Sequence, residues 1–357
     1  MPDLRIELTK APKAKPADES KLGFGQIFTD HMLIVNYDKG LGWHDPRIVP
    51  YAPLSLDPAA MCLHYGQEVF EGMKAYRTKD GGAMLFRPEE NFRRLNLSNS
   101  RICIPLVDED AFVEYTKKFV ETEKDWIPSL EGTTLYLRPF IIATDPHVGV
   151  RPADSYLFIV IASPVGAYYP EGLAPVRIYV ETEYVRAVKG GTGFTKTGGN
   201  YAASLKAQGN AKEKNYAQVL WLDGIERKYV EEVGTMNVFF KIAGEVITPS
   251  LDGSILGGIT RKSSIELMRS WGLTVTERRI SIDEIAAAYD AGTLEEAFGT
   301  GTAAVISPIG HLNWGDNKIM ELSDGKIGGL SQRLYNELTG IQFGNLADPF
   351  GWTVRVC

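Results

Sequence analysis

Runs of apolar, β-branched and aromatic residues predict strands in the first half of the chain. These runs lie at 31–37 (HMLIVNY), 83–87 (AMLFR), 133–143 (TTLYLRPFIIA) and 155–163 (SYLFIVIAS). Apolar residues at helical spacing predict a helix over 89–103, and a second predicted helix, over 108–124, has an acidic first turn. Strands and helices are therefore mixed in this half.

The second half has a similar mixture of elements. Strands are expected at 176–182, near 217–222 and at 237–248, and helices near 200–214 and at 260–271, 281–290 and 330–340. The two types do not alternate regularly. The pattern therefore predicts an α+β or mixed α/β fold rather than a doubly wound parallel sheet.

The segment PVGAYYPEGLAP, 164–175, separates the two halves. It contains three prolines and two glycines, which interrupt regular structure. We therefore predict a small N-terminal α/β domain with a polar N-terminal arm over 1–165, an interdomain loop over 166–175, and a large C-terminal domain over 176–357.

Composition narrows the class of protein. The chain has 357 residues, 44% hydrophobic and 23% charged, as in ordinary globular proteins. A net charge of -7 argues against nucleic acid as the main partner. Three cysteines without a CxxC pair exclude a disulfide framework, and five scattered histidines predict no metal site. No apolar run is long enough to span a bilayer, so we expect a cytoplasmic protein.

Glycine is in excess, at 36 residues, and it clusters around Lys196 in KGGTGFTKTGGNY, 189–201. One interpretation is a flexible loop with a solvated lysine. A P-loop is excluded, because Thr195 rather than glycine precedes the lysine. The other interpretation is a lysine in a tight, partly desolvated loop. Desolvation favours the free amine, which suits Schiff-base chemistry with a carbonyl or with pyridoxal 5′-phosphate (PLP).

A PLP site also needs a carboxylate for the pyridine nitrogen. In YVEEVGTMNVFF, 229–240, Glu232 ends an extended run beside a Gly-Thr turn and is the candidate. The alternative is a pair of exposed glutamates at a strand end, and we expect Glu231 to be exposed.

Two turns in the second half of the chain contain candidate phosphate-binding residues. In LGGITRKSSIELMRSWG, 256–272, two glycines precede a helix start whose free N–H groups would bind an anion; the alternative is an ordinary helix capped by Thr260. In AFGTGTAAVISP, 297–308, GTGTAA formally matches a dinucleotide fingerprint. However, Pro308 and the run AAVIS predict a strand, so we interpret it as a second phosphate-facing turn that uses Thr302.

The pair Arg93-Arg94 lies on the predicted helix over 89–103. Arginine is suited to bidentate phosphate contact. The alternative, a solvated helix charge, is expected for one of the two.

The segments around Lys196, Glu232, GGITR and FGTGTA resemble class IV (fold type IV) PLP-dependent aminotransferases. The first half narrows the resemblance to branched-chain amino acid aminotransferases, in the longer form found in eukaryotes and many bacteria. It does so through FTDHMLIVNYDKGLGWHDPRIVPY, LHYGQEVFEGMKAYR, LFRPEENFRRLNLS, LYLRPFIIATDPHVGV and PVGAYYP. The resemblance covers nearly the whole chain in order and implies the two-domain, D-amino acid aminotransferase-like architecture of fold type IV.

The resemblance implies roles for the cofactor-binding residues. Lys196, in the C-terminal domain, would form the Schiff base with PLP and move a proton between the substrate Cα and C4′ of the cofactor. Glu232 would pair with the pyridine nitrogen, and Tyr201 would hydrogen-bond the phenolate oxygen. The phosphate would be bound by Arg94, Ile259, Thr260 and Thr302.

The resemblance also implies a substrate pocket and a homodimer. The pocket would be an aromatic box of Phe24, Tyr65, Phe70, Tyr136 and Tyr168. Thr235 and Ala303 would bind the α-carboxylate through backbone N–H groups, and Arg138 with Tyr136 would bind the side-chain carboxylate of glutamate. Val150 would enter the pocket from the partner subunit. From the residues alone, such aromatic positions are more often part of a core.

The function implied is reversible ping-pong amino transfer between leucine, isoleucine or valine and 2-oxoglutarate. The CxxC redox switch of the animal mitochondrial form is expected to be absent, because Ala304 and Ser307 stand at its positions. Three alternatives stay open. The first is a D-amino acid aminotransferase or aminodeoxychorismate lyase, against which FEGMKAY and LYLRPF argue. The second is an NAD-dependent dehydrogenase, and the third is a non-catalytic small-molecule sensor.

Overall fold

The structure, a computed structural model, describes residues 3–166, 173–315 and 318–357. Within these residues the strands are, in chain order, β1 (Arg5–Ile6), β2 (His31–Asp38), β3 (Gly42–Pro50), β4 (Glu68–Phe70), β5 (Met73–Arg77), β6 (Ala83–Phe86), β7 (Thr134–Ala143), β8 (Ser155–Val165), β9 (Val176–Val180), β10 (Gln218–Leu222), β11 (Val230–Val233), β12 (Asn237–Ile242), β13 (Glu245–Thr248), β14 (Val275–Glu277), β15 (Leu294–Gly301), β16 (Val305–Asn313), β17 (Ile319–Glu321) and β18 (Thr353–Arg355). The α-helices are α1 (Met61–Tyr65), α2 (Pro88–Arg101), α3 (Glu109–Thr122), α4 (Gly198–Glu213), α5 (Ile259–Ser270), α6 (Ile282–Asp290) and α7 (Gly329–Gln342).

The chain divides into two units. Unit 1 comprises Met1–Pro170, Thr195–Gly198 and Gly340–Cys357, and unit 2 comprises Glu171–Phe194 and Gly199–Thr339. The predicted C-terminal domain, 176–357, therefore includes two segments that belong to unit 1 here. The predicted interdomain loop, 166–175, lies partly outside the described residues, and the predicted domain boundaries stay a prediction.

Unit 1 contains one sheet in the order β1-β3-β2-β8-β7-β5-β6-β18, with β4 also paired to β7. Its pairs are antiparallel except for β1 with β3. Along β7 the odd-numbered residues from Leu135 to Ala143 are buried, whereas Arg138, Phe140 and Ile142 are only partly buried. Because side chains alternate along a strand, the core takes one face of β7 and leaves the other face for polar and aromatic groups.

The core of unit 1 lies between the sheet and helices α2 and α3. Helix α3 buries a mainly apolar face, whereas the buried face of α2 also carries polar residues such as Arg94 and Ser98. The acidic residues in the first turn of each helix complement the helix dipole. Phe112 of α3 meets Phe158 of β8 edge to face, with ring centroids 4.7 Å apart. Phe92 of α2 packs near both rings, with centroid distances of 6.3 and 6.2 Å, and so holds α2, and hence Arg94, against the sheet.

Unit 2 contains a second sheet, in the order β11-β10-β9-β16-β15-β12-β13-β14, with β17 also paired to β16. Strand β9 is parallel to both β10 and β16, and β13 is parallel to β14. Phe239 and Phe298, which are register partners on β12 and β15, stack at 5.2 Å. The mixture of parallel and antiparallel pairs agrees with the predicted mixed α/β class.

The strand predicted over 237–248 is a hairpin of β12 and β13 rather than one strand. Ala243 and Gly244 form its turn, with φ of 49° and 82°. Two successive residues with positive φ reverse the chain sharply, and Ala243 gives no sign of this in the sequence. Among the described residues, no helix is both long and apolar enough to cross a membrane.

Candidate active site

The backbone of Lys196 is fixed on both sides within unit 1. Its N–H group donates to Ser98 Oγ of α2 at 3.0 Å, and its carbonyl accepts from Phe70 N–H of β4 at 2.9 Å. Its Nζ lies 4.8 Å from the centroid of the Phe70 ring. The segment is therefore anchored to a strand and a helix, unlike a flexible loop with a solvated lysine.

Glu68 holds the residues that follow the lysine. The Gly198 N–H group donates to Glu68 Oε1 at 2.6 Å, and the Thr197 hydroxyl donates to the Glu68 carbonyl at 2.6 Å. A Cβ atom on residue 198 would lie 1.9 Å from Glu68 Oε1, so glycine permits this approach. Burial raises the pKa of Glu68, while the Gly198 hydrogen bond and the Arg138 charge oppose the rise.

Arg138 lies on the face of the sheet that is opposite the core. Its Nη2 donates to the Tyr136 hydroxyl at 3.0 Å, and its guanidinium lies 4.6 Å from the centroid of the Phe70 ring. Its Nε is buried without a hydrogen-bond partner. No carboxylate of the described residues pairs with Arg138 within 4 Å, so the guanidinium can bind an anion.

The predicted aromatic box is only partly assembled within unit 1. The ring of Phe24 lies 4.9 Å from that of Tyr136, which in turn shares a face with Phe70. Tyr65 is the exposed last residue of α1. Val150 is 87% exposed. Tyr168 lies outside the described residues.

Arg94 is buried and its geometry is set by Glu71. Its Nε and Nη2 donate to the two carboxylate oxygens at 2.8 and 2.7 Å, and Asn91 Nδ2 donates to the same carboxylate at 2.8 Å. Arg93, in contrast, is 60% exposed and pairs with Glu90. The solvated member of the arginine pair is therefore Arg93. Glu71 had no signal in the sequence beyond its charge.

Glu232 is buried in unit 2, at 2% exposure. Its Oε2 lies 3.1 Å from Arg186 Nε, and its Oε1 accepts from Leu256 N–H at 2.7 Å. Glu232 and Arg186 line a pocket of about 240 Å³, counting its solvent-open part, together with Asn200, Tyr201, Ser204, Gly234 and Thr235. Arg186 was missed from the sequence, because a single arginine in EYVRAV matches no motif.

The expectation that Glu231 is exposed is wrong. Glu231 is 6% exposed and accepts a hydrogen bond from the Ser254 hydroxyl. All four residues of β11 are buried, so both faces of this strand are covered and neighbouring glutamates are both buried. Burial, together with repulsion from Glu232, raises the pKa of Glu231 to about 7.

The start of α5 is suited to anion binding. The helix begins at Ile259 after Gly258, and no side chain caps it, so Thr260 is inside the helix and is not the cap. A Cβ on Gly258 would lie 2.0 Å from Asn237 Oδ1, and Asn237 Nδ2 donates to the Leu256 carbonyl at 2.8 Å. The glycine thus lets Asn237 fix the approach to an uncapped, positively polarised helix end.

Two turns of unit 2 come together through Met236. Thr235 is exposed in the turn between β11 and β12, where Gly234 has φ of 56°. Thr302 and Ala303 are partly buried in the turn between β15 and β16. Met236 atoms lie 2.9 and 3.1 Å from where Cβ atoms of Gly299 and Gly301 would be, so glycine allows the turns to approach.

Comparisons with known proteins identify the family of this chain. Residues 68–312 match the family described as Amino-transferase class IV. The branched-chain-amino-acid aminotransferase 2 of Bacillus subtilis is 59% identical over 353 residues, which cover 99% of this chain and 97% of that protein.

Solved structures show the same fold. The branched-chain amino acid aminotransferase of Escherichia coli has a TM-score of 0.76 at 27% identity, covering 92% of this chain and 99% of that one. The T.th. enzyme of the same name, complexed with N-(5′-phosphopyridoxyl)-L-glutamate, has a TM-score of 0.73 at 26% identity, covering 94% and 99%. The predicted fold type IV class is confirmed, and the chain belongs to the class IV amino-transferase family.

Proposed function

We propose that this chain is a branched-chain amino acid aminotransferase. It exchanges amino groups between leucine, isoleucine or valine and 2-oxoglutarate by a ping-pong mechanism. The observation that carries the proposal is the face of unit 1 that bears Phe70, Tyr136 and Arg138, because the arginine has no carboxylate partner among the described residues. The rings pack against a branched apolar side chain, and the guanidinium binds the side-chain carboxylate of glutamate.

The residues fit PLP as the cofactor. Glu232 is a buried carboxylate that would hold the protonated pyridine nitrogen, and Tyr201, in the same pocket, would bind the phenolate oxygen. The uncapped start of α5, with Ile259 and Thr260, would bind the phosphate together with Arg94 and Thr302. PLP supplies an electron sink for negative charge at the substrate Cα. The T.th. relative is complexed with a phosphopyridoxyl compound.

In this proposal Lys196 Nζ removes the proton from the substrate Cα and later returns a proton. Its backbone hydrogen bonds to Ser98 and Phe70 limit where the amine can reach, so the proton transfer has a fixed geometry. The N–H groups of Thr235 and Ala303 orient the α-carboxylate. Tyr65, Phe24 and Tyr168 complete the aromatic walls.

We also propose a homodimer in which Val150 of each subunit enters the pocket of the other. The support is the exposure of Val150, whose loop is held at its base by hydrogen bonds from Met61 N–H to Asp145 and from His147 N–H to Ala59, at 3.0 and 3.1 Å. Sedimentation of the wild-type protein and of Val150→Asp tests it. We expect a dimer that the aspartate weakens, and a wild-type monomer would contradict the proposal.

Visible absorbance tests the main proposal. The PLP-loaded protein should lose its visible band on addition of L-leucine and regain it on addition of 2-oxoglutarate, which separates the two half-reactions. No change with L-leucine would refute the proposal. A response to D-alanine instead would favour a D-amino acid aminotransferase, and a colourless protein that binds NADH would favour a dehydrogenase. PLP binding without any amino-acid response would favour a sensor.

A further inference from the structure

Glu68 is a partly buried carboxylate that the proposed chemistry does not use. Its register partner on β7 is Ile142, and that of Phe70 is Phe140. Register partners in an antiparallel pair share a face, and the face repeats every second residue. Glu68 therefore lies on the same face of the sheet as Phe70 and, further along β7, Arg138.

The Arg138 side chain lies on this face, where its Nη2 donates to the Tyr136 hydroxyl at 3.0 Å. Its guanidinium lies over the ring of Phe70, the residue two positions from Glu68 on the same strand. The Glu68 carboxylate is in turn held in place by the Gly198 N–H group at 2.6 Å. The two groups form no ion pair within 4 Å, but they lie on the same sheet face, and their charges interact through a partly desolvated region.

The consequence for ligands depends on their charge. A carboxylate that approaches Arg138 experiences attraction from the guanidinium and repulsion from Glu68. A branched apolar side chain carries no charge, so Glu68 has no comparable effect on it. The carboxylate beside Arg138 therefore acts selectively on one of the two substrate classes.

We propose that Glu68 sets the balance between anionic and apolar side chains, because its charge weakens the attraction of Arg138 for a second carboxylate. This inference rests on the proposed function, in which one pocket accepts both classes. Glu68 is a specificity-determining residue that acts through Arg138 and leaves the chemical step to Lys196.

Two substitutions separate the charge of Glu68 from its hydrogen bond. Glu68→Gln removes the charge, but its amide oxygen still accepts from Gly198 N–H. Glu68→Asp keeps the charge, but the shorter side chain no longer reaches Gly198. Glu131→Gln, at an exposed position of unit 1, controls for the loss of one negative charge. Thermal unfolding of each PLP-loaded variant shows whether it is folded.

The test measures binding of glutarate and of 4-methylpentanoate to the PLP-loaded proteins at pH 8 by calorimetry. Glutarate has a second carboxylate, whereas 4-methylpentanoate has a branched apolar end. We expect Glu68→Gln to tighten glutarate binding by about three- to tenfold and to leave 4-methylpentanoate within about twofold. High salt should reduce the difference, and Glu68→Asp and Glu131→Gln should keep the wild-type ratio.

Three results would overturn the inference. They are unchanged or weaker glutarate binding by Glu68→Gln, an equal change for both ligands, and an altered ratio in Glu68→Asp that matches Glu68→Gln. The last would show that the charge of Glu68 is not the cause, because Glu68→Asp keeps that charge. Because the readout is binding, it is independent of turnover. Failure of the proposed function appears separately, as a missing absorbance response to L-leucine.

Discussion

The two units hold their candidate functional groups in different ways. In unit 1, Phe70, Tyr136 and Arg138 project from one face of a sheet whose other face is core. In unit 2, Thr235, Thr302 and Ile259 lie at turns and at a helix start. A sheet face presents side chains, which distinguish one ligand side chain from another. Turns and helix starts present backbone N–H groups, which bind phosphate and carboxylate whatever is attached to them.

The two units also differ in whether their charged groups have partners of opposite charge. In unit 2 the buried carboxylate of Glu232 is paired with Arg186 at 3.1 Å. In unit 1 Arg94 is neutralised by Glu71, but Arg138 has no such partner among the described residues. An unpaired guanidinium is available to a substrate, whereas a paired carboxylate is fixed in position. In the proposed function, Arg138 of unit 1 meets the side chain of the substrate, and the Glu232 carboxylate of unit 2 meets the cofactor.

The largest expected effect comes from Lys196→Ala in unit 1. Loss of the amine removes the group that moves the Cα proton, so turnover of leucine with 2-oxoglutarate should fall by at least about a thousandfold. Steady-state kinetics measures this change. Glu131→Gln, exposed in the same unit, should retain wild-type turnover. Wild-type rates in Lys196→Ala would show that the assignment is wrong.

The matching change in unit 2 is Glu232→Gln. It leaves Arg186 without its carboxylate in a buried setting, so cofactor-free protein should lose about 3 kcal/mol of unfolding free energy. Urea denaturation measures the loss. Glu226→Gln, which breaks the exposed pair with Arg279, should cost less than about 1 kcal/mol. Equal losses of unfolding free energy in the two variants would show that the buried pair contributes no more to stability than the exposed one.

A third prediction concerns pH and Glu231. Burial raises its pKa from 4.5 to about 7, so the folded protein binds this proton more tightly than the unfolded chain. Its contribution to stability is therefore complete below about pH 4.5 and is lost as pH rises to about 7, on the order of 2–3 kcal/mol. Denaturation of cofactor-free protein at pH 5.5 and 8 should show a smaller fall in Glu231→Gln. Equal falls would contradict the buried placement.

The smallest expected effect is the change in stability caused by Gly198→Ala, next to Lys196. In Gly198→Ala the new Cβ would lie 1.9 Å from Glu68 Oε1, so the carboxylate must move and lose its hydrogen bond, at about 1 kcal/mol. Gly209→Ala, on the same helix, meets nothing within 4 Å and should stabilise the protein by about 0.5–1 kcal/mol. Denaturation midpoints should shift in opposite directions, and shifts of the same sign would refute the close packing at Gly198.

Regular elements were predictable because their signals are local. The helices expected over 89–103 and 108–124 correspond to α2 and α3, and the strands over 133–143 and 155–163 correspond to β7 and β8. Periodicity and composition over ten or more residues determine these elements. Strand β3 was missed because Asp45 and Pro46 interrupt its run of strand-forming residues. In the structure the strand continues through them, with a positive φ at Asp45.

The candidate site residues likewise fall into those with a local sequence signal and those without one. Lys196 and Glu232 could be proposed from the sequence, because they lie beside glycine-rich turns and in segments that resemble a known family. Glu71, Arg186 and Asn237 were missed, because each acts on a residue far away in the chain. The expected exposure of Glu231 was wrong for the same reason, since a covered strand buries both of its faces.

By itself, the sequence determined the mixed α/β class, most of the long helices and strands, the family, and the lysine and carboxylate that the proposed chemistry needs. Tertiary structure alone decided what fixes them in place. Lys196 meets Ser98 across 98 residues of chain, and Gly198 meets Glu68 across 130. Such contacts depend on which strands and helices pack together, and packing is a property of the whole fold that no local pattern of residues encodes.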